Sequence, residues 1–232
     1  MNRIESEALV VRTVEVGEAD VVATLVTETA GKVSAIVRGA RKGSRRVGGA
    51  LEPVHTIAVL LEDKGSELTT LKESRIVKTR AGVVGRLEAL DAAGVALRWV
   101  RHLFPPRTPE PEGWRVLVEL LDVLDRPDAE PRRELARAGL ALLSAVGYAL
   151  DLERCVVCGR PCPEAKAACV DPARGGLVCR SCGGAGAVLL PDTRAAARAL
   201  ASGQGREVTA KQAESLLQIV DRGMAAHAGF ER

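Results

Sequence analysis

Ala8-Leu-Val-Val-Arg-Thr-Val14, Val21-Val-Ala-Thr-Leu-Val26, Val33-Ser-Ala-Ile-Val37, His55-Thr-Ile-Ala-Val-Leu-Leu61 and Leu68–Val77 are five runs rich in β-branched residues. Turn signals separate them: Gly17-Glu-Ala-Asp20, Ala30-Gly-Lys32, the stretch from Gly39 to Pro53, and Asp63-Lys-Gly65. Branched side chains pack well on a pleated surface, and no helical period interrupts the runs. Five strands in succession predict a small closed or partly open barrel, with the OB-fold as its natural form. An SH3-like barrel would satisfy the spacing almost as well.

After Arg80 the apolar period changes from 2 to about 3.6. Val83, Leu87, Leu90, Ala93, Leu97 and Val100 suit one amphipathic helix, with Gly94 as the point where it would bend. Pro105-Pro106-Arg-Thr-Pro109-Glu-Pro111 must be a loop, because proline removes helix donors. Further helices are predicted from Trp114 to about Leu124, from Glu134 to about Leu150, over Asp192–Ala201, and over Thr209–Ala226 behind a Thr209 cap. Asp128-Ala-Glu-Pro131 carries the acidic signature of a helix start. The chain thus reads as α+β and multi-domain: a barrel over residues 1–80, then a helical domain over 81–232 with an inserted lobe at about 152–187.

That lobe holds Cys155-Val-Val-Cys158 and Cys179-Arg-Ser-Cys182, with 20 residues between the pairs. Two Cys-x-x-Cys turns can each aim two thiolates at one centre and together complete a tetrahedron around Zn²⁺. With every vertex a cysteine, none is left for water or substrate, so Cys155, Cys158, Cys179 and Cys182 predict a structural zinc site. A redox dithiol would want one exposed pair at a helix start after a strand, whereas both pairs here lie among Gly and Pro. Cys162 and Cys169 stand outside the scheme, although Cys162 is near enough to Cys158 to compete as a ligand.

The strongest charge signal is Arg38-Gly-Ala-Arg-Lys-Gly-Ser-Arg-Arg46, after the third strand. Arg38, Arg41, Lys42, Arg45 and Arg46 fall within nine residues with no acid among them, while residues 1–80 carry 13 basic and 11 acidic side chains. Cations on a supple Gly-containing loop can neutralise phosphates without reading bases. The five aromatic residues, Trp99, Phe104, Trp114, Tyr148 and Phe230, all lie beyond the barrel. Base stacking is therefore unavailable there, and binding should be electrostatic and salt-sensitive.

The remaining features exclude more than they suggest. The net charge of +3 does not by itself advertise a nucleic-acid binder. No apolar run reaches the roughly 18 residues of a membrane span, and the start MNRIESE does not read as a signal peptide. Six cysteines then read as thiols in a reducing cytoplasm. His55, His102 and His227 form no triad or metal motif, and no phosphate-cradling glycine loop or Mg²⁺-binding acidic cluster occurs. The expectation is a binding protein rather than an enzyme, without a small-molecule substrate.

Taken in order, several blocks resemble the RecO family of bacterial recombination mediators. They are Gly17-Glu-Ala-Asp20, Thr24-Leu25, Gly31-Lys32, Arg38-Gly-Ala-Arg-Lys42 and Gly48-Gly-Ala-Leu51-Glu-Pro53, then Leu103-Phe-Pro-Pro106 and Leu142-Leu-Ser-Ala-Val-Gly-Tyr148. Asp151-Leu-Glu-Arg-Cys155-Val-Val-Cys158-Gly159 and Gly175-Gly-Leu-Val-Cys179 complete the series. The resemblance implies an OB-fold barrel, a helical domain and a zinc lobe. It implies binding to single- and double-stranded DNA, annealing of complementary strands, and loading of RecA onto strands coated by single-stranded-DNA-binding protein (SSB), within the RecF pathway. Its implied partners are RecR and the acidic C-terminal tail of SSB, its implied location the cytoplasm at the nucleoid, and its implied DNA contacts the cations of the Arg38–Arg46 loop. The aromatic-free barrel departs from the family pattern. A zinc-ribbon regulator or RNA-associated factor is the competing reading, and a thiol-disulfide enzyme a further one.

Overall fold

The computed structural model describes residues 2–40, 51–203 and 208–228. The chain forms two compact units, Met1–Pro127 and Asp128–Arg232. Contact thus divides it at Pro127, whereas the apolar period changes at Arg80.

The first unit begins with five strands: β1 (Asn2–Val16), β2 (Asp20–Thr27), β3 (Gly31–Val37), β4 (Thr56–Asp63) and β5 (Leu68–Lys78). They close into a barrel of order β1-β2-β3-β5-β4. β1 serves two neighbours: Asn2–Ala8 pairs antiparallel with β4 and Ala8–Val16 with β2. The register shifts between Val10 and Arg12, the kind of irregularity that lets one strand bend from one neighbour to the next. β3 and β5 close the ring in parallel through Ser34–Ile36 and Leu68–Thr70. Alternate side chains of β3 are buried, and Val10, Leu25, Val37, Ile57, Leu61 and Leu71 fill the interior. Each such aliphatic side chain, fully buried, contributes about 1.5–3 kcal/mol. Parallel closure of β3 on β5 and the long shared β1 select the OB form over the SH3-like one.

Three helices complete this unit: α1 (Ala81–Val84), α2 (Leu87–Leu103) and α3 (Pro111–Leu124). The single helix expected across 83–100 is therefore two, and the break lies at Gly85-Arg86, with α2 running unbroken through Gly94. The cause lies at the end of α3. Asp125 Oδ1 accepts the N–H groups of Gly82 (2.8 Å) and Val83 (3.3 Å), and the Arg86 guanidinium donates to the carbonyls of Leu124 and Arg126. Asp125 thus caps the start of α1, and the Arg86 contacts hold the chain at the break before α2.

Two arginines tie helix and loop to strand. Arg80 is fully buried; it meets Asp122 of α3 through Nε (2.9 Å) and Nη2 (2.8 Å), and donates through Nη1 to Val54 O (2.6 Å) and Thr56 Oγ1 (3.0 Å). Arg107, in the proline-rich loop, reaches Asp63 Oδ2 at 2.7 Å. The same loop crosses the β2–β3 turn, where the Arg107 N–H donates to Lys32 O (2.8 Å). A Cβ on Gly31 would lie 2.1 Å from Thr108 O, and its φ is 68°. Only glycine fits both the turn and the crossing chain.

The second unit contains α4 (Pro131–Ala145), a four-stranded sheet, α5 (Pro191–Ala201) and α6 (Ala210–Ala228). α4 ends at Ala145, short of the expected Leu150, because the chain reverses: Gly147 N–H bonds Ser144 O and Tyr148 N–H bonds Leu143 O, with φ 86° at Gly147. α6 starts with a reciprocal cap, Gln212 N–H to Thr209 Oγ1 (3.3 Å) and Thr209 N–H to Gln212 Oε1 (2.9 Å). The sheet is β6 (Asp151–Cys155), β7 (Ala168–Asp171), β8 (Gly176–Leu177) and β9 (Ala187–Leu189), ordered β6-β8-β7-β9. Its strands are two to five residues long, too short to show a sequence period. Among the described residues no helix is long and apolar enough to cross a membrane.

Candidate metal centre and cationic loop

The two cysteine turns of the second unit face each other. The Sγ atoms of Cys155, Cys158, Cys179 and Cys182 all lie within 4.8 Å of one another, and Cys158 and Cys179 are 3.8 Å apart. A tetrahedron with metal–sulfur bonds of about 2.3 Å has edges of about 3.8 Å, so four sulfurs at this spacing suit one ion. Each turn is built alike. Gly159 N–H donates to Cys155 O (2.8 Å) and Gly184 N–H to Cys179 O (3.1 Å), and the residue after each second cysteine is a glycine with positive φ, 70° at Gly159 and 101° at Gly183. That conformation is disfavoured for other residues and turns the chain away after each second thiol.

The electrostatics of the cluster call for a cation. Backbone N–H groups of Cys179, at 3.3 Å, and of Cys158 point at Cys155 Sγ and draw that thiol down to about 6. Cys182 moves the other way, to about 12, held protonated by its hydrogen bonds to Cys179 and Cys158 and by burial. Four thiols this close cannot all ionise around empty space, because each thiolate penalises the next. A divalent ion reverses that penalty and deprotonates its ligands.

The other two cysteines take no part in the cluster. Arg194, 2% exposed, donates from Nη1 to Cys162 Sγ (2.5 Å) and from Nη2 to Pro163 O (2.6 Å). Cys169 lies against Gly184 on the sheet.

On the barrel, Arg38 is exposed directly after β3. Arg41, Lys42, Arg45 and Arg46 lie outside the described residues. The departure point of their loop is anchored: Asp20 Oδ1, at the start of β2, accepts the Gly39 N–H at 2.9 Å. The acidic residue of the Gly17–Asp20 turn thus holds the base of the cationic loop, a link between positions 19 apart that no local pattern reveals.

The histidines are dispersed. His55 accepts the Arg80 N–H at Nδ1 (3.1 Å), and His227 stacks on Tyr148 with centroids 3.9 Å apart. His102 lies on α2, its pKa lowered by burial and by Arg101. Among the described residues, the four cysteines are the one group of histidine, cysteine or acid side chains placed to hold a metal. Sequence reasoning passed over Arg80 and Arg107. An isolated arginine near a turn carries no local mark of burial, and its partners lie about 25–45 residues away.

Residues 1–80 match the family profile described as Recombination protein O N terminal, and residues 85–231 that of Recombination protein O C terminal. The chain is 38% identical over 202 residues to a DNA repair protein RecO of Anaeromyxobacter sp. (strain Fw109-5), covering 86% of this chain and 78% of that one. A DNA repair protein RecO of Geobacter sulfurreducens is 38% identical over 194 residues, covering 83% and 78%. One of Geobacter metallireducens is 32% identical over 234 residues, covering 98% and 93%.

Proposed function

The chain belongs to the RecO family of DNA repair and recombination proteins, and from that premise we propose that it is a non-catalytic mediator binding single- and double-stranded DNA through the Arg38–Arg46 loop. It anneals complementary strands and helps load RecA onto SSB-coated single strands, acting with RecR and with the SSB tail at the cytoplasmic nucleoid. The ion held by Cys155, Cys158, Cys179 and Cys182 is zinc, and its role is structural. Four cysteine sulfurs suit zinc and leave no position for a reacting water.

The observation that carries this reading is the acid-free run of five cations leaving β3 of a barrel without aromatic residues. Two phosphate backbones repel each other as they pair. Cationic side chains lower that repulsion without gripping the bases that must pair, so a barrel lacking stacking platforms suits annealing.

The test is the variant with Arg38, Arg41, Lys42, Arg45 and Arg46 all changed to Ala, titrated with a 30-nucleotide oligothymidylate. Five phosphate contacts contribute about −3.5 to the slope of log K against log[salt], a roughly hundredfold loss of affinity between about 50 and 200 mM. The variant should lose that share of the slope and anneal complementary strands more slowly. A salt slope and an annealing rate equal to those of the unaltered protein would refute the reading.

A further inference from the structure

The cysteine lobe has its own charge pattern, and its acids are already engaged. Glu153 and Glu164 both pair with Arg198 of α5, at 2.7 and 3.1 Å. Asp151 accepts the N–H groups of Glu153 and Arg154, and Asp171 that of Ala173. Against these four stand Arg154, Arg160, Lys166, Arg174 and Arg180, all exposed. Among the described residues none of the five has a carboxylate within 4.0 Å.

Three of the five share one place. Arg160, Lys166 and Arg180 line a depression of about 630 Å³ beside the cysteine cluster, and no acidic residue lines it. The metal-binding turns position two of them. Arg160 O accepts the Cys155 N–H at 2.9 Å, and Arg180 stands between Cys179 and Cys182 with its carbonyl accepting the Gly183 N–H at 3.1 Å. Their backbones are held by the same turns that set the sulfurs.

We propose that Arg160, Lys166 and Arg180 form a second polynucleotide contact, through which the cysteine lobe holds a phosphate backbone separately from the barrel loop. The inference rests on the annealing reading above and deepens it, since pairing two strands calls for contacts on two backbones. The alternative occupant, an acidic peptide, would need a socket for an apolar anchor. Of the larger apolar side chains that line the depression, Leu177 and Val178 are 2% and 1% exposed, and Val188, 58% exposed, is a lone aliphatic side chain rather than a socket. The charged side chains that line the depression are all cationic and none of its lining residues is aromatic, which suits repeated phosphates and no particular base.

The experiment uses the full chain and the 30-nucleotide oligothymidylate, with the five-residue loop variant measured in parallel. Changing Arg160, Lys166 and Arg180 to Ala should make the salt slope less negative by about 2, so the affinity lost between about 50 and 200 mM shrinks about twentyfold. Arg160→Lys with Arg180→Lys should keep the original slope. Lys166→Ala, away from both cysteine turns, guards against a misfolded lobe and should change the slope by about 0.7. An unchanged slope in Lys166→Ala and in the triple variant overturns the proposal. So does a triple variant that keeps its oligothymidylate slope but loses affinity for a ten-residue glutamate peptide. If the loop variant behaves as the unaltered protein while the lobe variants lose slope, the loop reading falls and this one stands. If the loop variant alone loses slope, only this one falls.

Discussion

The barrel and the cysteine lobe reach a defined shape by opposite means. The barrel interior holds a continuous set of buried aliphatic side chains, drawn from all five strands. The lobe spans Asp151–Leu189, and its sheet has strands of two to five residues; its buried apolar side chains are few, chiefly Leu152, Val170, Leu177, Val178 and Leu189. So little apolar burial does not offset the conformational entropy of ordering nearly forty residues, at about 1–2 kcal/mol each for the backbone. Four cysteines brought within 4.8 Å supply what the lobe's core lacks, provided an ion joins them. Function follows the same division. The barrel closes through the pairing of its own strands, β3 on β5 and β1 on β4. The lobe sets its four clustered cysteines on two turns, and those turns place two of its five exposed cations, Arg160 and Arg180.

The strongest way to break this comparison is to remove the ion. Cys179→Ser, or chelation of the unaltered protein, should bring zinc below one per chain and expose residues 151–189 to protease, while the Met1–Pro127 unit stays protected. Structural zinc sites couple about 10 kcal/mol or more of binding to folding, so this should be the largest effect. Full protection of the lobe after chelation would mean that burial alone holds it.

A smaller effect tests whether the first unit rests on burial alone. Arg80→Met removes a fully buried guanidinium that bonds Asp122, Val54 O and Thr56 Oγ1. Breaking such a network should cost about 3 kcal/mol in urea unfolding. A cost below about 1 kcal/mol would show that the Arg80 network adds little to the attachment of α3 to the strands, leaving apolar packing and the Lys78–Asp122 pair to hold it.

The smallest effect concerns Asp63. The Gly65 N–H, then the Arg107 guanidinium, hold its carboxyl below the usual carboxylate range. Its stabilising share is complete above its unfolded value of about 4 and is lost as pH falls through the lower folded value. Asp63→Asn should therefore flatten the acid limb of a stability-against-pH curve below about pH 5. An acid limb equally steep in the variant would show that the Arg107 strut carries no pH-dependent stability.

How much of this was legible depended on range. The five barrel strands announced themselves because β-branched runs and turn residues act locally, although β1 begins at Asn2, six residues before the expected run, and that added stretch carries the pairing with β4. The cysteine pairs were legible because metal geometry imposes a spacing. The helix break at Gly85-Arg86 was not, because the carbonyls that hold Arg86 there, at the end of α3, lie some forty residues away. The early end of α4 was missed as well, since Gly147 sits inside an otherwise helical apolar pattern.

The sequence by itself determined the five barrel strands, the two cysteine pairs and the acid-free basic run, since propensity, cysteine spacing and charge count are properties of neighbours along the chain. Only the tertiary structure decided that β3 closes on β5, that Asp20 holds Gly39, that Arg80 is buried against Asp122, and that Arg160, Lys166 and Arg180 share one depression. Each of those joins groups far apart in sequence. Their energies come from burial and from partners supplied by distant segments, which no local window contains.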